Sequence, residues 1–187
     1  EKLKNEAVKI NKEYAKRFKI NQSTCVTCVK PSGTVSQLVD SASGMHPRYA
    51  QYYTRRIRIS ATDPLFHMLK DQKFPFISPE VGQTADSATT YVLEFPVASP
   101  KNSIFRNDLT AIEQLEYWKT VKENYTEHNP SVTVSVGDEE WIKTSHWLYE
   151  NWDMLGGLSF LPRSKHVYRL APYEEISEER YREMISQ

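Results

Sequence analysis

The chain has 187 residues, and its 24 Lys plus Arg balance 24 Asp plus Glu, so the formal net charge is zero. That balance gives no global field toward nucleic acid or an anionic membrane; such contact has to come from a local patch. A mean hydropathy of −0.62, with no apolar run near the ~20 residues a membrane helix needs, excludes a membrane span and points to a soluble protein. Two cysteines three apart exclude a disulfide-stapled secreted scaffold and fit a reducing cytoplasm. The sequence starts at Glu1 with no initiator Met and no charged-then-apolar leader. The expectation is therefore a cytoplasmic piece of a larger chain, residues 1–187 forming a single segment. Eleven Tyr and four Trp are ample for a core and too many for a disordered segment.

Residues 1–19 place Leu3, Ala7, Ile10, Tyr14 and Phe18 at three- and four-residue steps among Lys and Glu, which predicts an amphipathic helix with a solvated Lys-rich face. Residues 23–29 are short, β-branched and bounded by polar residues and Pro31, and read as a buried strand. Residues 34–39 form a short helix or a further loop. Residues 53–59 alternate as a strand, and Asp63-Pro64 caps a helix that runs to Lys70. The Pro- and Gly-containing stretch 73–87 is loop, the place for an excursion.

From residue 90 the pattern turns regular. A strand over 91–97 precedes a helix over 109–125 with Leu109, Ile112, Leu115, Trp118, Val121 and Tyr125 on one face. A strand over 132–136 follows. Asp138 then caps a helix presenting Trp141, Ser145, Leu148 and Trp152, which Gly156-Gly157 ends before a strand over 158–161. This alternation is the signature of an α/β parallel sheet or barrel. A last helix starts near Ser177.

The segment Lys30-Pro31-Ser32-Gly33-Thr34-Val35-Ser36 offers a glycine, three hydroxyls and a run of backbone N–H groups. Glycine permits close backbone approach, and successive amides can make an anion nest. The Gly-Lys-Ser/Thr end of a Walker loop is absent, so ATP hydrolysis is not implied. Spacing alone leaves two readings open, a plain turn and a phosphate cradle.

Thr27-Cys28-Val29-Lys30-Pro31-Ser32-Gly33-Thr34-Val35-Ser36-Gln37-Leu38, then Ser43-Gly44-Met45-His46-Pro47 and Tyr52-Tyr53-Thr54-Arg55-Arg56-Ile57-Arg58, resemble the adenosylcobalamin-dependent ribonucleotide reductases. The likeness is greatest to their monomeric ribonucleoside-triphosphate branch. It continues through His128-Asn129-Pro130-Ser131-Val132-Thr133-Val134, Glu140-Trp141, Tyr149-Glu150-Asn151-Trp152-Asp153 and Gly157-Leu158-Ser159-Phe160-Leu161-Pro162. It ends with His166-Val167-Tyr168 and Leu170-Ala171-Pro172-Tyr173-Glu174-Glu175-Ile176.

The resemblance implies an α/β fold, the C-terminal portion of the ten-stranded α/β barrel of that family. It also implies that a strand-end loop holds the phosphates of a ribonucleoside triphosphate, through Ser32, Gly33, Thr34, Val35 and Ser36. Adenosylcobalamin, a dithiol reductant and the remainder of the barrel are implied for the parent enzyme. Its radical-forming cysteine block is not found here, so the segment supplies no catalytic residue and is expected to be inactive alone, with no cofactor tightly bound.

Other residues read as structural. In a strand, Cys25 and Cys28 would point to opposite faces ~10 Å apart, beyond the ~7 Å limit for a disulfide, and so are core residues. No second Cys-x-x-Cys or His pair completes a zinc site, so no metal is expected. His46 reads as a turn histidine without a role, and His67, His128, His146 and His166 as structural. The adjacent acids Glu139-Glu140 and Glu174-Glu175 read as solvated helix ends, and Trp141, Tyr149 and Trp152 as core packing. Two other functions stay open: a stand-alone nucleotide- or phosphate-binding module or split-reductase subunit, and a single-stranded nucleic-acid binder using the four Arg and three Tyr of residues 48–58. The zero net charge argues against the second, and no membrane partner is expected.

Overall fold

Thr110 and Glu113 sit three apart ahead of an apolar face. In the computed structural model they form a reciprocal capping box, with the Thr110 hydroxyl accepting from the Glu113 amide at 3.2 Å and the Glu113 carboxylate accepting from the Thr110 amide at 2.7 Å. The structure describes residues 1–163 and 168–187. The elements in chain order are α1 (Lys2–Phe18), α2 (Val35–Leu38), β1 (Tyr52–Ser60), α3 (Pro64–Asp71), β2 (Ile77–Pro79), β3 (Thr90–Ala98) and α4 (Ala111–Asn124). They continue with β4 (Thr133–Val136), α5 (Trp141–Glu150), β5 (Ser159–Pro162), β6 (Tyr173–Glu175) and α6 (Glu178–Ser186). Two compact units result: residues 1–47 with 104–163, and residues 48–103 with the described residues from 168 on.

In the first unit β4 and β5 pair in parallel, Thr133 opposite Ser159 and Val136 opposite Pro162. Parallel neighbours need a crossover, and α5 provides it. Strand alternation buries Val134 and Val136, which pack with Leu115 and Trp118 of α4, Trp147 of α5 and Met45 into one core. The expected β-α-β-α-β run is therefore parallel only in its second half. The strand read at 91–97 is β3, and it belongs to the other unit's sheet.

That sheet is antiparallel, in the order β2-β3-β1-β6, with Tyr52 opposite Ala98 and Ser60 opposite Thr90. Asp63 caps α3 by accepting from the Leu65 amide at 2.8 Å, and Pro64 occupies the first turn. Ser177 likewise caps α6, accepting from the Arg180 amide at 3.2 Å. Arg56, its side chain 9% exposed, bonds Glu94 and Glu174 at 2.6 Å each and the Ala171 carbonyl at 3.0 Å. Arg56→Met strips these carboxylates of their shared partner. Because the Glu174 side chain is 43% exposed, the expected loss in a urea titration is only about 1–2 kcal/mol.

Several expectations are corrected. Residues 23–29 join no strand ladder. They lie beside the loop after α4, where the Thr27 carbonyl accepts from the Glu127 and His128 amides and the Val29 carbonyl from the Ser131 amide. The β-branched composition suits a strand, but the partner is a loop. Cys25 and Cys28 are accordingly half-buried and free, not core residues. Helix α5 stops at Asn151, well before Gly156-Gly157. Gly156 is instead a close-approach site, where an added Cβ would lie 2.0 Å from Asn129 Oδ1. The stretch 73–87 carries the short strand β2.

The aromatic stripe is corrected as well. Tyr149 and Trp152 are 81% and 70% exposed, and the buried aromatics of the two helices are Trp118 and Trp147. On α1 the expected stripe is solvent-facing too, with Leu3 77% and Phe18 62% exposed, while Ala15 is the buried residue. Periodicity identifies an apolar face without saying what covers it. Glu140 is not a solvated end but a buried one, and Glu174 and Glu175 lie in β6. No helix among the described residues is long and apolar enough to cross a membrane. His166 and Val167 lie outside the described residues.

Candidate functional site

After Pro31 the chain turns through Ser32, Gly33 and Thr34 into the single turn of α2. Gly33 has φ +64°, the left-handed region that glycine enters without penalty, and nothing lies within 4 Å of where a Cβ would stand. The five candidate residues are thus brought together as one turn. Ser32, Gly33, Thr34 and Val35 are exposed, and Ser36 is buried.

The hydrogen bonds divide this turn into a held side and a free side. Ser32 is held: its amide donates to Ser43 Oγ at 3.0 Å, and its own Oγ accepts from the Ser36 amide at 3.2 Å. Among the described residues, the Gly33 and Thr34 amides donate to no acceptor, and the buried Ser36 hydroxyl has no partner. Consecutive free amides beside hydroxyls can chelate an anion without any basic side chain. Lys30, the nearest cation in sequence, is committed elsewhere: its Nζ donates to the Asn129 carbonyl and to Ser131 Oγ, both at 2.8 Å.

The turn rests on a second loop that sequence reasoning left without a role. Gly44 has φ +60°, and a Cβ there would meet the Lys30 carbonyl oxygen at 2.8 Å, so this loop lies directly on the backbone before the turn. Met45 anchors it in the core. His46 Nδ1 lies 2.8 Å from the Ser43 carbonyl, and its Nε2 accepts from the Thr133 amide at 3.0 Å. Ser135 and Gly137, the next residues whose amides face that edge of β4, donate to Gln114 Oε1 at 3.1 Å and Glu140 Oε2 at 2.7 Å. The Ser43-Gly44-Met45-His46-Pro47 block was the only sequence signal for these supports.

Glu127 closes the other side of the frame. Its carboxylate accepts from the Val26 amide at 2.7 Å and the Thr27 amide at 3.4 Å. The Val26 bond, more than any other influence, holds its pKa below the ordinary glutamate range, and Thr27, Lys4 and His128 act in the same direction. A carboxylate with a depressed folded pKa contributes its stabilisation above the unfolded pKa and loses it as pH falls through the folded value. The Val26 amide resonance should therefore shift with a midpoint below the ordinary glutamate range in an NMR pH titration. In Glu127→Gln that transition is expected to vanish.

Three of the four arginines in the basic stretch serve inside the second unit. Arg48 is buried and donates to Ser99 Oγ at 3.3 Å, Arg56 bonds Glu94 and Glu174, and Arg58 pairs with Glu80. Tyr49 and Tyr53 pack with Tyr173 at ring separations of 5.5 and 5.7 Å. No group of three or more His, Cys, Asp or Glu suited to a metal occurs among the described residues.

Comparison with known proteins gives one consistent answer. A probable adenosylcobalamin-dependent ribonucleoside-triphosphate reductase of Dictyostelium discoideum is 34% identical over 189 residues, covering 99% of this chain and 24% of that protein. The Euglena gracilis adenosylcobalamin-dependent ribonucleoside-triphosphate reductase is 32% identical over 89% of this chain and 22% of its own length. The crystal structure of a B12-dependent (class II) ribonucleotide reductase superposes with a TM-score of 0.81 at 26% identity, covering 99% of this chain and 26% of that one. No family model matches the chain. The chain thus spans about a quarter of the length of the relatives it matches. The α/β architecture expected from the sequence, a portion of a ribonucleotide reductase fold, is the one observed.

Proposed function

We propose that this chain, homologous over nearly its whole length to a quarter of the adenosylcobalamin-dependent ribonucleoside-triphosphate reductases, is the corresponding part of such an enzyme. Its role there is positioning. The turn Ser32 to Ser36 holds the phosphates of a ribonucleoside triphosphate, with the Gly33 and Thr34 amides as donors. The carrying observation is that, among the described residues, these two amides meet no acceptor, on a turn held at Ser32 by its bonds to Ser43 Oγ and the Ser36 amide. A neutral donor set of this kind fixes the polyphosphate and leaves the base unread.

The parent reaction replaces the ribose 2′-hydroxyl by hydrogen, with a dithiol as reductant, in the cytoplasm. Adenosylcobalamin supplies the radical in such enzymes. The surface hollows of this chain, about 450 and 480 Å³, are lined by Lys4, Lys9 and Lys12 of α1 and by Tyr181 and Arg182 of α6. No residue here is assigned to the cofactor and no step is derived through it. The exposed apolar faces of α1 and α5 are what the remaining three quarters of the enzyme would cover.

The test uses the 187-residue chain and tripolyphosphate. Titration should move the Gly33 and Thr34 amide resonances first and most, and the chain with a ribonucleoside triphosphate, adenosylcobalamin and a dithiol should form no deoxynucleotide. Unmoved resonances at saturating tripolyphosphate would overturn the cradle, and turnover would overturn the positioning role.

A further inference from the structure

Among the described residues, the His46 side chain is the one that hydrogen-bonds the loop supporting the candidate turn to the edge of β4. Its Nδ1 lies 2.8 Å from the Ser43 carbonyl, which can only accept, so Nδ1 carries the proton. Its Nε2 lies 3.0 Å from the Thr133 amide, which can only donate, so Nε2 carries the lone pair. One neutral tautomer satisfies both bonds, and the other satisfies neither. Ser43, held this way through its carbonyl, uses its Oγ to accept the Ser32 amide at 3.0 Å. The connection is continuous: Thr133 to His46, His46 to Ser43, Ser43 to Ser32, and from Ser32 Oγ to the Ser36 amide at 3.2 Å. Ser32 and Ser36 bracket the Gly33 and Thr34 amides.

We infer that His46, neutral and protonated on Nδ1, is a positioning residue for polyphosphate binding, fixing the turn at Ser32 to Ser36 against the first residue of β4. This rests on the phosphate-holding role proposed above. The physical argument is preorganisation. A turn of exposed residues binds an anion well only if its amides already converge, since a loop ordered at the moment of binding gives up part of the interaction. Among the described residues, the His46 Nε2 bond to the Thr133 amide is the hydrogen bond that joins the Ser43 loop to β4. The tautomer also makes the role specific, because an acceptor at the Nε2 position is what Thr133 requires.

Two substitutions separate the ends of the ring. His46→Gln places an amide oxygen where Nε2 stands and keeps an acceptor for Thr133. His46→Asn places a donor near Nδ1 and keeps the Ser43 bond but does not reach Thr133. With tripolyphosphate as the probe in calorimetric titration, His46→Asn and His46→Ala should weaken binding by about five- to tenfold, the scale of one lost hydrogen bond, and His46→Gln should restore it to within about twofold. Imidazole ¹⁵N shifts of the unsubstituted chain should report the Nδ1–H tautomer, and the Thr133 amide should lose exchange protection in His46→Asn but not in His46→Gln. Tryptophan fluorescence checks that each variant is folded. Should His46→Ala fail to fold, the Gln and Asn pair decides alone.

Equal affinity in all variants, or the opposite tautomer, would overturn the positioning role while leaving the phosphate turn intact. Failure of the unsubstituted chain to bind tripolyphosphate overturns the turn itself, and the role of His46 with it.

Discussion

Gly33→Val is expected to weaken tripolyphosphate binding at least tenfold while leaving the fold intact. The position separates two effects that usually arrive together. No atom stands within 4 Å of a Cβ built on Gly33, so the valine side chain meets no steric obstacle. The whole effect comes through the backbone, because φ is +64°. A non-glycine residue there costs about 1–2 kcal/mol, and a β-branched one is a genuine outlier. The turn relieves that cost by rotating toward negative φ, which reorients the Gly33 and Thr34 amides that the proposed phosphate turn uses. Since about 1.4 kcal/mol is a factor of ten in affinity, strain of this size suffices. Titration calorimetry reads the affinity, and thermal melting followed by tryptophan fluorescence reads the fold. Gly44→Ala should behave in the opposite way, because its Cβ would sit 2.8 Å from the Lys30 carbonyl oxygen and the melting temperature should fall. A Gly33→Val chain that binds like the unsubstituted one would place the phosphate elsewhere.

How much of this was legible depends on the range of the interaction. The candidate turn carries its own signal, since Pro, Gly and hydroxyl side chains define a turn from adjacent positions alone. Their supports do not. Ser43 lies 11 residues beyond Ser32, and Thr133 lies 87 beyond His46, so no local pattern joins them. The same distinction runs through the fold. Strands β1 and β3 were read within one residue at each end, because alternation and flanking turns are local. Residues 23–29 depart from the expected strand, because whether a β-branched segment becomes a strand depends on its partner, here a loop 100 residues away. Glu140 was misread for a related reason. Beside Glu139 it looks like a solvated pair, yet it accepts from the Ala111 amide at 3.1 Å and the Gly137 amide at 2.7 Å in a buried setting. The exposed Tyr149 and Trp152 complete the pattern, because their periodicity is correct and their cover is not within this chain's core.

Trp118→Ala is expected to cost about 3–5 kcal/mol of unfolding free energy, the usual range for truncating a buried aromatic. Trp118 is 0% exposed and packs with Leu115, Val132, Val134 and Trp147, which leaves little room for the core to collapse into the vacated volume. It also donates from Nε1 to the Pro130 carbonyl at 2.9 Å, so truncation leaves that acceptor only the long 3.4 Å bond from Asn129 Nδ2. Set against the 5–15 kcal/mol that stabilises a typical domain, this is enough to leave the unit marginal. Trp118→Phe keeps most of the apolar contact and loses the bond, and should cost about 1–3 kcal/mol. Urea unfolding of both variants separates packing from the hydrogen bond. The consequence for the site follows from where Pro130 lies. The Ser131 amide beside it donates to the Val29 carbonyl at 3.1 Å, just before the candidate turn, and β4 starts two residues further on. Trp118→Phe should therefore lower tripolyphosphate affinity as well as stability, although the indole stands in the core rather than at the turn. Unchanged affinity in a folded Trp118→Phe chain would show that the turn is held by the Ser43 loop alone.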